Sequence, residues 1–370
     1  MNRSVLLQRL KHEWLLLLFA ALAFVLAILD PHPLRDHQRW LRLPTLAGLF
    51  GLMLAIQGIR DSGWVQRIAG ALVERAHSVR TLGLLLVSMT AVLSMVLTND
   101  VSLFLLVPLT VAIGDMSNLP VLRMVILEAL AVNAGSTLSP IGNPQNLLIW
   151  QYEHLPFLSF MRTMLPTAGI MFAMVAVLTW CWLPRGRIEL HTQAESQPTS
   201  MLLGLLSLVA LSMMVMLMEH GQPLLGAGLV IVPFLFEYRT FARLDWLLLA
   251  TFAAIFLSLG HLAELPIVQA GMNTLDLEQP LNLYVGGIVA SQLISNVPAT
   301  VLLLNRAPDA MALAVAANVG GFGIAIGSLA NLIALRLAKQ PHALGLFHKV
   351  SVPFLLVCAP LVYVAWIAMH

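Results

Sequence analysis

The sequence predicts an all-α polytopic membrane protein built from two inverted repeats, each with a hairpin-like pair of apolar arms and a discontinuous helix. Three observations predict it. Of 370 residues, 59% are hydrophobic and only 10% are charged, with a mean hydropathy of +0.86. A soluble domain carries roughly a quarter charged residues, and no globule of this size could hide so much apolar surface from water, so lipid is the natural solvent. Apolar runs of spanning length then recur along the whole chain. Finally, two polar signatures embedded in those runs each occur twice, in the same order.

Taken in order, an uninterrupted span needs roughly 20 apolar residues. Runs of that kind lie near 13–30, 44–59, 164–183, 200–218, 223–237, 245–260 and 350–369. The first follows Arg9 and Lys11, as the core of a signal peptide would, but so many apolar runs succeed it that it reads as an uncleaved first helix. Four further regions, 81–113, 122–150, 281–304 and 310–337, are apolar yet carry Asn, Gly, Pro or Ser at their centres. Segments 62–78 and 261–279 are amphipathic and are expected along the membrane interface. The polar stretch 185–199 divides the chain near its middle. It leaves an N-terminal helix and outer loop (1–43), a first repeat (44–184), a cytoplasmic linker (185–199) and a second repeat (200–370). Cys181 and Cys358 lie in apolar runs without metal-ligand spacing and read as buried thiols.

Basic residues set the expected orientation, because cytoplasmic loops are enriched in Lys and Arg. With the N-terminus inside and both hairpins returning to their side of entry, 15 of the 20 Lys and Arg face the cytoplasm and the C-terminus is periplasmic. Only Arg35, Arg39, Arg42, Arg162 and Arg306 face outward. Full double crossings would leave the same bias, so charge fixes orientation without proving re-entrance.

The repeat carries the functional information. LTND at 97–100 has its counterpart in ISNVPAT at 294–300, a Thr-Asn or Ser-Asn pair between two apolar arms. NAGSTLSPIGNPQNLLI at 133–149 has its counterpart in NVGGFGIAIGSLANLIA at 318–334. A displacement of 185 residues superposes Asn133 on Asn318, Gly135 on Gly320, Gly142 on Gly327, Asn146 on Asn331 and Leu147 on Leu332. The charge bias places the first hairpin's ends inside and the second's outside, so the halves are related by inversion. Inverted repeats with broken helices at corresponding places point to a midplane substrate site.

Elementary chemistry explains these residue types. Backbone in hydrocarbon must satisfy its own hydrogen bonds, so a helix can break only where protein or a wet cavity covers it. Freed N–H groups at a half-helix N-terminus favour anions, and freed carbonyls favour cations. Small polar residues in membrane helices can also serve only close packing, a reading that one motif would allow and that two motifs repeated in inverted halves disfavour. Asp100 stands at the first hairpin tip, where a carboxylate is costly and marks an ion or proton pathway, or caps the hairpin. Glu128 is a second candidate proton carrier, or a partner of Arg123 towards the cytoplasmic end. Asn133, Asn143, Asn146, Asn318 and Asn331 can ligate substrate or cation, or can satisfy freed backbone. His220, His261, His342 and His348 fall at span ends and read as solvated polar tips.

These paired motifs resemble the ion transporter superfamily over nearly the full chain. TND followed by GSTLSPIGNPQN, then SNVPAT followed by GSLAN, is most similar to the branch of arsenite-pump membrane proteins and NhaD-type sodium/proton antiporters. The resemblance implies about ten or eleven spanning helices with two re-entrant hairpins, a homodimer, and an elevator-like movement of a transport domain against a scaffold. It further implies hairpin tips at Thr98, Asn99 and Asp100 and at Ser295, Asn296, Pro298 and Thr300. The implied unwound segments are Ser139–Asn146, including Gly142 and Asn143, and Gly323–Asn331, including Gly327 and Ser328. The dicarboxylate branch has Ser-Asn-Thr at both tips, whereas Asp100 and Val297 stand at the third position here, and a carboxylate there repels a di-anion.

The expected function is ion-coupled transport of a small anion or oxyacid across the bacterial inner membrane, with sodium/proton exchange as the alternative. Asp100 and Glu128 are the candidate proton-coupling groups. No cofactor and no resident metal is expected; a transported sodium ion would pass near Asn99, Asn143, Asn296 and Ser328. The expected partners are lipid, the transported solute and a second copy of the chain, and a net charge of +2 points to no nucleic acid. The sequence has neither a GxSxG elbow nor an HExxH motif, which argues against an intramembrane enzyme.

Overall fold

The computed structural model describes residues 14–75, 78–189, 200–234, 238–274 and 276–369. The regular structure among those residues is helical, with no strand among them. The chain groups into two compact units, 1–62 with 200–271 and 63–199 with 272–370. Each unit therefore draws on both halves of the sequence, a grouping the linear pattern of spans does not reveal.

The smaller unit contains α1 (Trp14–Leu29), α2 (Leu34–Leu41), α3 (Leu43–Asp61), α10 (Met201–Glu219), α11 (Pro223–Phe234), α12 (Tyr238–Arg243), α13 (Trp246–Glu264) and most of α14 (Pro266–Asn273). Here α1 packs on α13, and α3 packs on α10 and α11. Ser200 caps α10 by accepting from the Leu203 N–H, and Pro223 opens α11 where no N–H is needed. Asp61, at the end of α3, gathers Gln57, Thr240 and Arg243 onto its carboxylate.

The larger unit contains α4 (Trp64–Arg75), α5 (Val79–Val96), α6 (Asn99–Met116), α7 (Val121–Ser136), α8 (Pro144–Glu153) and α9 (Phe157–Trp182). From the second half come α15 (Pro280–Ile294), α16 (Asn296–Leu304), α17 (Ala310–Val319), a 3-10 turn (Ala325–Gly327), α18 (Leu329–Ala338) and α19 (Ala343–Met369). The expected hairpins are α5–α6, turning at Leu97–Thr98, and α15–α16, turning at Ser295. The expected discontinuous helices are α7–α8, broken over 137–143, and α17–α18, broken over 320–328.

Solvent explains the distribution of apolar residues. Every residue of α17 is buried, as is most of α7. The long α9, α10 and α19 instead expose Val177, Leu202, Val209, Leu356 and Val364, each more than 60% accessible. A water-soluble chain could not leave such surfaces bare; against lipid they cost nothing. Among the described residues, six helices are long and apolar enough to cross a membrane, and α17 and α18 are shorter apolar helices, the two parts of one broken helix. Cys358 is buried as expected, whereas Cys181, near the end of α9, is exposed.

Candidate functional site

The two broken helices meet through their asparagines. Asn133 Nδ2 on α7 donates to Asn331 Oδ1 on α18 at 2.9 Å. In return, Asn318 Nδ2 on α17 donates to Asn146 Oδ1 on α8 at 2.6 Å. Displacement by 185 residues converts one contact into the other. The same displacement relates the bonds around them. Asn133 and Asn318 each also donate to the carbonyl four residues back, Ala129 and Ala314, both at 2.8 Å. Asn146 donates to Ser136 O, and Asn331 to Gly321 O, across their respective breaks. Both second half-helices then end on a left-handed residue, His154 at φ 51° and Lys339 at φ 50°. When residue i of one copy meets j of the other, and j meets i, the copies are related by a two-fold operation.

All five asparagines are at most 3% exposed, so every amide left unbonded would cost a desolvation penalty of about 1–3 kcal/mol. The first break is held largely from within. Asn146 Nδ2 reaches the carbonyls of Ser136, Thr137 and Ser139, at 3.0 to 3.1 Å. Asn143 caps α8 by accepting from the Asn146 N–H at 2.9 Å, while its own Nδ2 donates to Ser136 and to Asn318 Oδ1. Ser139 Oγ accepts from the Ile141 N–H. Gly142 is required there: a Cβ would sit 2.5 Å from Ser136 O and 2.8 Å from Ser94 O.

The first hairpin tip is tied to this break. Asn99 N–H donates to Gly142 O at 2.9 Å. Thr98 caps α6 through the Val101 N–H, and the Asp100 N–H donates to Asn99 Oδ1. Asp100 is half-buried in the first turn of α6, where a helix N-terminus favours negative charge.

The second tip and break are built differently. Ser295 turns the chain at φ 71°, an uncommon conformation for a residue with a Cβ, and its side chain caps nothing. Pro298 falls in the first turn of α16, where a missing N–H is free of cost, and Thr300 Oγ1 donates to Asn296 O. Asn296 Nδ2 is buried with no partner among the described residues, and so is Ser328 Oγ at the N-cap of α18. Gly327 stands between them in sequence, packed against the Gly320 carbonyl and Gln292. Gln145 Oε1, in the first turn of α8, is likewise buried and unpartnered.

Of the three side chains that hold the second break, Gln292 and Ser351 escaped the sequence reading, and His348 was read only as a span-end tip. Gln292 on α15 donates to the carbonyls of Gly320 and Phe322 and accepts from the Ile324 N–H. From α19, Ser351 Oγ accepts from the Gly323 N–H at 2.9 Å, and His348 Nε2 accepts from the Ala325 N–H at 3.0 Å. A Gln three residues before the hairpin tip in an apolar arm was the available signal. His348 is thus no solvated tip. Nor is His261, which is 2% exposed, whereas His220 and His342 are exposed as expected. Glu128 stands apart from the asparagine network. It is fully buried, accepts from Thr110 Oγ1 at 2.5 Å and leaves Oε2 without a partner; Arg123 instead donates to Trp182 O and covers that ring.

Residues 5–309 match the CitMHS family, described as citrate transporters. The chain belongs to that family. It is 41% identical over 322 residues to the inner membrane protein YbiR of Escherichia coli, covering 86% of each chain. It is 29% identical to the uncharacterized transporter MJ0456 of Methanocaldococcus jannaschii, covering 88% of this chain and 89% of that one. A shorter stretch of 142 residues, 38% of this chain and 29% of the relative, is 31% identical to the silicon efflux transporter LSI3 of rice. The family is one of membrane transporters rather than enzymes, and the multi-pass architecture agrees with an inner membrane protein.

Proposed function

We propose that this transporter carries a small anion or oxyacid, coupled to a proton or sodium ion, through a site between the two hairpin tips and the two helix breaks. The observation that carries the proposal is the pair of buried, uncommitted polar groups at the second tip and break, Asn296 Nδ2 and Ser328 Oγ. Each belongs to a helix N-terminus without a side-chain cap. An uncapped N-terminus with spare donors suits an anionic or hydroxylated solute. None of the residues assigned to the tips and breaks is Lys or Arg, so no fixed cation balances substrate charge. Asp100 adds negative charge at the first tip, and a co-transported proton or sodium ion neutralises it there. The family description gives citrate, and the name of the rice relative gives silicon; neither carries a fixed positive charge, in keeping with this reading. Asn99 and Asn143, two of the four groups expected near a passing sodium ion, supply oxygen atoms for it, and Glu128 serves as a second proton acceptor beside Thr110.

The N-terminus is cytoplasmic in this reading, the hairpins are re-entrant, and the larger unit moves as the transport domain of a homodimer. A second reading, sodium/proton exchange, is favoured by Asp100 at the tip. Inverted vesicles separate the two. Citrate and oxyanion uptake is measured under imposed proton and sodium gradients, with wild type and Asp100→Asn. Gradient-driven uptake that Asp100→Asn abolishes supports the proposal. Cation-dependent proton movement without any solute establishes exchange instead, and absence of both from folded, inserted protein sinks both readings.

A further inference from the structure

The smaller unit carries a cluster that the transport site does not use. The end of α1, the start of α2 and the last turn of α13 converge there. Asp30 Oδ2 lies 3.1 Å from His32 Nε2 and 3.3 Å from His261 Nε2, and one ligand atom from each residue falls within 4.8 Å of the others. Behind His32, its Nδ1 lies 3.3 Å from Asp36 Oδ2. Trp40, itself buried, stacks on His261 at 4.5 Å between ring centroids and 20° between planes, and meets His32 edge-on at 5.1 Å. It also packs so closely on the α13 backbone that a Cβ at Gly260 would sit 2.7 Å from Trp40 Cβ. These rings are held in place rather than free on the surface.

We propose that Asp30, His32 and His261 bind a divalent first-row transition-metal ion, zinc being the best fit, with Asp36 orienting His32 from behind. The ligand chemistry fits. Two imidazoles and one carboxylate leave a fourth position for water, a common zinc arrangement. A tetrahedral ion held at about 2.0–2.1 Å needs ligand atoms about 3.3 Å apart. The two edges from Asp30 already meet that spacing, and the third closes by at most about 1.5 Å. The charges fit as well, since Asp30 and Asp36 together offset a divalent ion.

The protons fit too. His32 faces a carboxylate at each ring nitrogen. A neutral imidazole has only one N–H, so without an ion it can satisfy only one of them. With the ion on Nε2, the Nδ1–H donates to Asp36, which is the carboxylate–histidine–metal relay that fixes tautomer and ring orientation. The competing arrangement is a metal-free cluster in which hydrogen bonds alone join these side chains.

The test uses the full chain, purified in detergent without an affinity tag and stripped by chelator. Equilibrium dialysis against zinc, and the visible absorption of cobalt as its replacement, are expected to give one ion per chain. Binding should weaken by at least about 100-fold in His32→Ala and His261→Ala, and by about 10- to 100-fold in Asp36→Asn. X-ray absorption of the zinc-loaded wild type should show two imidazoles, a readout that survives if a variant fails to fold. Folded wild-type protein that takes up no stoichiometric metal overturns the proposal in favour of the metal-free cluster. Undiminished binding in folded His32→Ala and His261→Ala overturns it as well.

Discussion

The two helix breaks share a backbone plan and differ in where their hydrogen bonds are spent. At the first, Thr98 caps α6, Asn143 caps α8, and Asn146 fastens three carbonyls of the break. At the second, neither Ser295 nor Ser328 caps its helix, and the break is held from outside by Gln292, Ser351 and His348. Buried polar groups are almost always bonded, so leaving Asn296 Nδ2 and Ser328 Oγ unbonded is a cost that the proposed function explains. On the proposed reading the halves divide the work. The second offers donors to the solute, and the first, with Asp100, takes the coupling cation.

Removing the outside support should do the greatest damage. Gln292→Leu strips one acceptor and two donor bonds from segment 320–324. At about 1 kcal/mol each, the loss should reach about 3 kcal/mol in denaturant unfolding in micelles. A loss below about 1 kcal/mol would mean that the second break, like the first, holds itself.

A smaller effect sharpens the likeness instead of the difference. Double-mutant cycles to alanine at Asn133 with Asn331, and at Asn146 with Asn318, probe two contacts related by the 185-residue displacement. Each coupling should be about 0.5–1.5 kcal/mol, equal within about 0.5 kcal/mol. Couplings that differ by more would show that the two contacts carry unequal load despite matching geometry.

The same reciprocity decides what could be read without a structure. Asn133, Asn146, Asn318 and Asn331 were legible because a two-fold contact needs the same amide in both copies, which leaves an identity at fixed spacing. The ends of α8 and α18 also keep that spacing. Gln292 was illegible for the converse reason, since it serves one break only and leaves no echo in the first half. The grouping into two compact units was hidden because each unit collects helices from both halves. His261 was misread because position at a span end says nothing of Trp40, more than two hundred residues earlier, stacking over the ring. Glu128 was placed correctly inside the apolar run, but its partner came from α6, where no helical spacing rule reaches.

The smallest expected change in stability is the sharpest discriminator. Asn143 and Ser328 both stand at the N-cap of a second half-helix, separated by the same 185 residues. Asn143→Ala removes a cap worth about 0.5–2 kcal/mol together with bonds to Ser136 and Asn318. Ser328→Ala removes a hydroxyl without a hydrogen-bond partner among the described residues, so stability should move by less than about 0.5 kcal/mol. If that hydroxyl waits for the solute, the loss appears only on binding. One hydrogen bond of about 1.4 kcal/mol is tenfold in affinity, so half-saturation for the transported solute should rise by about that factor while the unfolding midpoint stays put. Were Ser328→Ala to unfold more easily and bind as before, the hydroxyl would be structural after all, and the contrast between the two breaks would lose its functional meaning.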